Sequence, residues 1–135
     1  MELQFERPVE AMAAISWIIC SADDVGSTAE HNFLHQHVRT LKEFEDMSSS
    51  EFSSLLASTR TKLFSNLAHN GLCLTPPAVD TVISSAKAVL NDDQRVEAYR
   101  MAVGLAKTDG LVQAEQEILN KLRSRFSISF DSMDN

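Results

Sequence analysis

The chain has 135 residues, of which 44% are hydrophobic, a composition that favours one globular domain and argues against disorder. Its net charge of −7 argues against nucleic-acid binding and against docking on anionic lipid, and favours cations or basic partners. The only two cysteines, Cys20 and Cys73, are isolated in sequence, so neither a disulfide framework nor a cysteine zinc site is indicated.

The N-terminal region predicts a first helix. Pro8 suits a first helical turn, and apolar residues then recur at helical spacing as far as Asp23. Glutamates precede the apolar run at residues 11–20, whereas a signal peptide needs a basic start. The run is also too short to span a membrane. We therefore expect a cytoplasmic protein without direct membrane insertion.

A pair of acids separates the first predicted helix from the second. Asp23 and Asp24 follow the first helix, and the segment from Ser27 to Glu30 has the pattern of a capping box. The second helix carries an apolar stripe formed by Phe33, Leu34, Val38, Leu41 and Phe44.

Three more helices are predicted in the middle of the chain. Residues 48–51 are predicted to begin the third helix. This helix is expected to bend near Ser58 and to end at Asn70-Gly71. Thr75 caps the fourth helix with Pro76 at its first position, and Asn91 caps the fifth.

The acid–turn–acid arrangement recurs near the end of the chain. Asp109-Gly110 breaks the helical pattern, and Glu115 lies in the first turn of a sixth helix that runs to Phe126. Two copies of helix–acid–turn–acid–helix predict an all-α bundle of six to seven helices in two pseudo-symmetric halves. One domain is expected over residues 1–130, followed by a loose tail at 131–135.

Helical geometry predicts which way the acids point. With Ile118 set at zero and about 100° per residue, Glu115 falls near 60°, inside the apolar stripe of the sixth helix. Glu30 has the same relation to its own stripe, and Asp23 and Asp109 lie beside apolar residues at helix C-termini. All four carboxylates are thus expected on core-facing sides, with the two turns as neighbours.

An ordinary structural explanation competes with a functional one. A glutamate near a helix N-terminus is stabilised by capping and by the helix dipole, and Asp-Gly is a common turn pair. Acids near helix C-termini, however, oppose the dipole, and Val112 cannot cap with its side chain.

Both motifs resemble the TerB family, named for a tellurite-resistance protein. The second copy matches the family's small-x-x-Asp-Gly-x-hydrophobic pattern followed by Glu with the residues Ala106, Asp109, Gly110, Val112 and Glu115. The first copy departs from it, with Asp24 in place of Gly and one extra turn residue. The resemblance implies a helical fold in two related halves and a divalent-metal site built from Asp23, Asp24, Glu30, Asp109 and Glu115. It also implies a role in tellurite or general stress response, protein partners that include membrane-associated stress-response proteins, and no enzymatic activity.

Paired carboxylates are hard oxygen ligands, suited to calcium or magnesium rather than zinc. The loops are not EF-hands, because the twelfth positions counted from Asp109 and Asp23 are Asn120 and Leu34. His31 and His35 have zinc-compatible spacing, but the glutamate of a metalloprotease motif is missing.

The sequence is consistent with three functions. The first is a metal-responsive module without enzymatic activity. The second is a metal-independent, co-chaperone-like interaction domain with an acidic docking surface. The third is a metal-dependent hydrolase, for which the sequence names no secure base.

Overall fold

Five helices account for most of the residues described by the computed structural model, which covers residues 4–20, 44–67, 69–70, 73–107 and 113–127. In chain order the elements are α1 (Pro8–Cys20), α2 (Ser49–Asn66), β1 (His69–Asn70), β2 (Cys73–Leu74), α3 (Pro76–Val89), α4 (Asp92–Lys107) and α5 (Gln113–Arg125). The all-α class is confirmed. The described residues contain five helices, whereas six to seven were expected for the chain. The predicted second helix lies in residues 21–43, outside the described ranges, except for Phe44 at its end, which is buried.

α1 is the central helix of the fold. It packs against α2, α3 and α4 and also touches α5. Almost every residue from Val9 to Ile19 is buried, and only Glu10 and Trp17 are partly exposed. No charged side chain interrupts residues 11–20, and alanines at 11, 13 and 14 let neighbouring helices approach closely. This helix therefore organises one continuous hydrophobic core.

Side-chain caps fix where α2 and α4 begin. Ser48 Oγ accepts a hydrogen bond from Glu51 N at 3.1 Å, and Glu51 Oε1 accepts one from Ser48 N at 3.1 Å. Asn91 and Gln94 form the same reciprocal pair before α4, at 2.8 and 2.9 Å. These pairs satisfy backbone N–H groups that have no partner within the helix. Both predicted starts are confirmed.

α3 begins as the sequence predicts, and α2 ends a little early. Thr75 Oγ1 accepts a hydrogen bond from Ala78 N at 3.4 Å, and proline occupies the first helical position of α3. α2 runs through Ser58 without interruption and ends at Asn66. Between the two helices, β1 and β2 pair antiparallel with His69 opposite Leu74. This two-stranded ladder was not predicted, although Asn-Gly is a hairpin signal.

Candidate functional site

The junction between α4 and α5 carries the second acid motif. α4 ends at Lys107 and α5 begins at Gln113, and the break predicted between them falls in residues 108–112, outside the described residues. Asp109 and Gly110 themselves lie outside the residues that the structure describes. The two helices pack against each other.

Glu115 is the one predicted ligand that the structure places. Its side chain is 3% exposed, and Ile118, Leu119 and Leu122 on the same helix are also buried. The prediction that this carboxylate faces the core is therefore confirmed. Its position in the first turn of α5 favours a negative charge through the helix dipole. A buried carboxylate also requires compensation by hydrogen bonds or positive charge, and Glu115 is not without an interaction partner.

The other predicted ligands lie outside the residues that the structure describes. Asp23, Asp24 and Glu30 fall within residues 21–43, and Asp109 within residues 108–112, all outside the described ranges. The same holds for His31 and His35. Within the described ranges, no group of three or more His, Cys, Asp or Glu side chains could hold a metal ion. Convergence of the two motifs and metal binding therefore stay predictions.

A cleft that the sequence did not indicate lies between α1, α3 and α5. Its volume is about 200 Å³, and it is lined by Ile18, Leu74, Pro76, Val79, Glu117, Ile118 and Lys121. The five apolar residues come from three helices and β2, whereas both charged residues lie one turn apart on α5. An apolar pocket with a few polar groups at its edge is the usual form of a small-molecule site.

Charged residues join α3 and α5 next to this cleft. Asp80 Oδ1 lies 3.2 Å from Lys121 Nζ and 3.7 Å from Arg125 Nη2. These side chains are 36–49% exposed, so each ion pair contributes only a few tenths of a kcal/mol, up to about 1 kcal/mol. Asp80 Oδ1 is itself buried and accepts no hydrogen bond of good geometry among the described residues. The ion pair with Asp80 places the ammonium group of Lys121 at the edge of the cleft.

A second, wider groove follows the first half of α2. Its volume is about 460 Å³, and its lining residues are Arg7, Met47, Ser50, Glu51, Ser54, Leu55 and Ser58. The serines recur every four residues and so form a stripe of hydroxyl groups along one face of the helix. Ser58 Oγ donates to Leu55 O at 3.1 Å, a bond within the helix.

Contacts of aromatic side chains join α1 to α2. Trp17 Nε1 donates a hydrogen bond to Leu56 O at 2.8 Å and so links the two helices. The guanidinium carbon of Arg60 lies 5.9 Å from the Trp17 ring centroid and 5.2 Å from that of Phe64. Cation–π contacts at these distances hold Arg60 along the two rings.

Comparison with known proteins supplies no relative: no family model, curated protein or solved structure matches the chain. Along the described residues, no helix is long and apolar enough to cross a membrane. The resemblance to the TerB family therefore rests on the acid motifs alone.

Proposed function

We propose that the chain is a TerB-like helical module without enzymatic activity that binds a divalent cation through its acid motifs in tellurite or general stress response. The observation that supports this proposal is the burial of Glu115 in the first turn of α5, six residues after Asp109 in the sequence. The proposed architecture is two related halves with six to seven helices, of which one lies within residues 21–43.

The chemistry of the donor set fits a hard cation. Carboxylate oxygens are the ligands that calcium and magnesium prefer, and the motifs contain no thiolate that would select zinc. Asp109 and Glu115 would hold the cation in the second motif, and Asp23, Asp24 and Glu30 in the first. A bound cation would neutralise repulsion between carboxylates, which at about 4 Å amounts to roughly 4 kcal/mol at an effective dielectric constant of 20.

Thermal unfolding tests the proposal. If the affinity is near 10⁻⁵ M, millimolar calcium or magnesium stabilises the folded chain by about 2.7 kcal/mol, which raises the Tm by several degrees relative to a sample with chelator. Circular dichroism at increasing cation concentration measures the shift. Asp109→Asn and Glu115→Gln should each abolish it.

Glu117→Gln is the matched control, since Glu117 is exposed and lies two residues beyond Glu115 on the same helix. This variant should retain the full shift. Equal Tm values of the wild type in calcium, magnesium and chelator would show that the metal hypothesis is wrong.

A flat response would favour the alternative function, a metal-independent, co-chaperone-like domain that docks basic partners. The net charge of −7 supports that alternative, and exposed acids lie at the starts of α2 and α4, among them Glu51, Asp92 and Asp93. In either form we propose protein partners, including membrane-associated stress-response proteins, and a cytoplasmic location.

A further inference from the structure

The cleft between α1, α3 and α5 has an apolar interior and a charged edge. Ile18, Val79 and Ile118 are at most 8% exposed, and together with Leu74 and Pro76 they form the apolar lining. The volume of about 200 Å³ exceeds the roughly 150 Å³ of an apolar cavity that accepts benzene. The cleft therefore suits a branched or aromatic side chain of metabolite size and is too small for a drug-sized ligand.

The charged edge consists of one acid and one base in register. Glu117 and Lys121 are four residues apart on α5, a spacing that brings their Cβ atoms within about 6 Å on one helix face. Glu117 forms no hydrogen bond and no ion pair with any other described residue. Lys121 is held by Asp80, as described above. The edge thus presents a carboxylate without a partner among the described residues beside an ammonium group that contacts Asp80.

Charge balance determines which ligand fits this edge. Glu117 and Asp80 offset Lys121 and Arg125, so the four groups sum to zero. A ligand with a single charge would contact the residue of opposite sign at this edge, but the neighbouring residue of like sign would repel it. A ligand with neighbouring positive and negative groups meets complementary groups at both positions.

We propose that this cleft binds a free apolar α-amino acid of leucine size. The apolar side chain occupies the interior, the α-ammonium group contacts Glu117, and the α-carboxylate contacts Lys121. The proposal concerns a site separate from the acid motifs and does not depend on metal binding.

Titration with three probes that share a branched apolar end tests the assignment. They are L-leucine, isocaproate, which lacks the ammonium group, and isoamylamine, which lacks the carboxylate. Amide and methyl NMR shifts of Ile18, Val79 and Ile118 report binding at the cleft. L-Leucine should bind with a Kd on the order of 1 mM, and each single-charge analogue about tenfold more weakly.

Two variants separate the charged contacts. Glu117→Gln should weaken L-leucine and isoamylamine about tenfold, because it removes the contact to the ammonium group, and should strengthen isocaproate, because it removes a charge of like sign. Lys121→Gln should weaken L-leucine and isocaproate and strengthen isoamylamine for the same reasons. Glu45→Gln and Lys87→Gln change exposed charges away from the cleft by the same amounts and should bind all three probes as the wild type does.

The proposal is overturned if L-leucine at concentrations on the order of 10 mM causes no saturable shift at the cleft. It is equally overturned if isocaproate or isoamylamine binds the wild type as tightly as L-leucine, or if neither cleft variant weakens L-leucine. Far-UV circular dichroism of both variants must match the wild type, which the exposure of Glu117 and partial exposure of Lys121 lead us to expect.

Discussion

Thr59 is a polar residue in an apolar position of α2. Its side chain is fully buried, and its hydroxyl oxygen forms no hydrogen bond with any residue that the structure describes. Buried Ser16 differs, because its hydroxyl lies 3.0 Å from Met12 O and 3.5 Å from Met101 Sδ. An unsatisfied buried hydroxyl reduces stability by its desolvation cost.

Replacing Thr59 by the similarly shaped valine should therefore stabilise the protein. We expect Thr59→Val to raise the free energy of unfolding by about 1 kcal/mol, measured by urea denaturation. Thr61→Val is the control: Thr61 is exposed and its hydroxyl donates to Ala57 O at 3.1 Å, so that variant should gain nothing comparable. A loss of stability in Thr59→Val would contradict the interpretation.

The stability of the fold should depend on pH in the acid range because Glu51 ionises there. The hydrogen bond from Ser48 N, and to a lesser extent the Ser48 side chain, lowers the pKa of Glu51 below its ordinary value of 4.5. A carboxylate whose pKa is lower in the folded state stabilises the fold fully above pH 4.5 and loses that effect as the pH falls through the folded-state pKa.

Glu51→Gln should isolate this contribution, because glutamine retains the capping geometry but does not titrate. We expect the wild type to exceed the variant in Tm at neutral pH and the difference to vanish in strong acid. Thermal unfolding by circular dichroism over this pH range measures the difference. A difference that stays constant with pH would refute the role of the ionised carboxylate.

Trp17 connects two helices at the scale of secondary-structure elements. Its indole N–H donates to a carbonyl of α2, as described above, while its ring contacts Arg60. Trp17→Phe keeps an aromatic ring but removes the donor, and we expect it to lower the free energy of unfolding by about 1–2 kcal/mol. Because Trp17 is the only tryptophan, circular dichroism rather than fluorescence should monitor unfolding. Unchanged stability would show that the link between α1 and α2 is dispensable.

Local sequence signals predicted the starts of helices correctly where a side chain forms a hydrogen bond with the nearby backbone. Ser48, Thr75 and Asn91 cap helices at the predicted places, because capping depends only on residues three or fewer positions away. The core-facing position of Glu115 also followed from helical periodicity, since its buried neighbours lie on the same helix.

Features that depend on contacts between distant elements could not be predicted in this way. Helical spacing predicts one apolar face for α1, formed by Ala11, Met12, Ile15 and Ile19. Ala13, Ala14 and Ile18 are buried as well, because helices surround α1 on several sides. The leucine-sized cleft combines residues of α1, β2, α3 and α5, and no local spacing indicates such a combination. The metal hypothesis likewise depends on contact between two segments that are far apart in the sequence.

The whole molecule carries an excess of negative charge. The chain has nineteen acidic and twelve basic residues. Among the residues that the structure describes, Glu115 is the only charged one that is buried. Self-repulsion of this kind destabilises the compact state and is screened by salt. Raising the ionic strength from about 0.01 M to about 0.15 M shortens the Debye length from roughly 30 Å to 8 Å.

We therefore expect the Tm to rise over this range of ionic strength, by equal amounts in sodium and potassium chloride. Differential scanning calorimetry in the presence of chelator measures the effect without interference from divalent cations. A Tm that falls as salt is added would mean that attractive ion pairs, such as those of Asp80, outweigh the general repulsion.

The central position of α1 has a consequence for protein synthesis. The ribosome makes α1 before α2, α3, α4 and α5, the helices that cover it. At about 5–20 residues per second, several seconds pass before residues 76–125 have been added. Throughout that time a helix-forming segment without charges at residues 11–20 is exposed to other nascent chains. The chain should therefore bind chaperones that recognise short apolar segments mainly while α3 to α5 are still being translated, and release them once α5 has left the ribosomal tunnel.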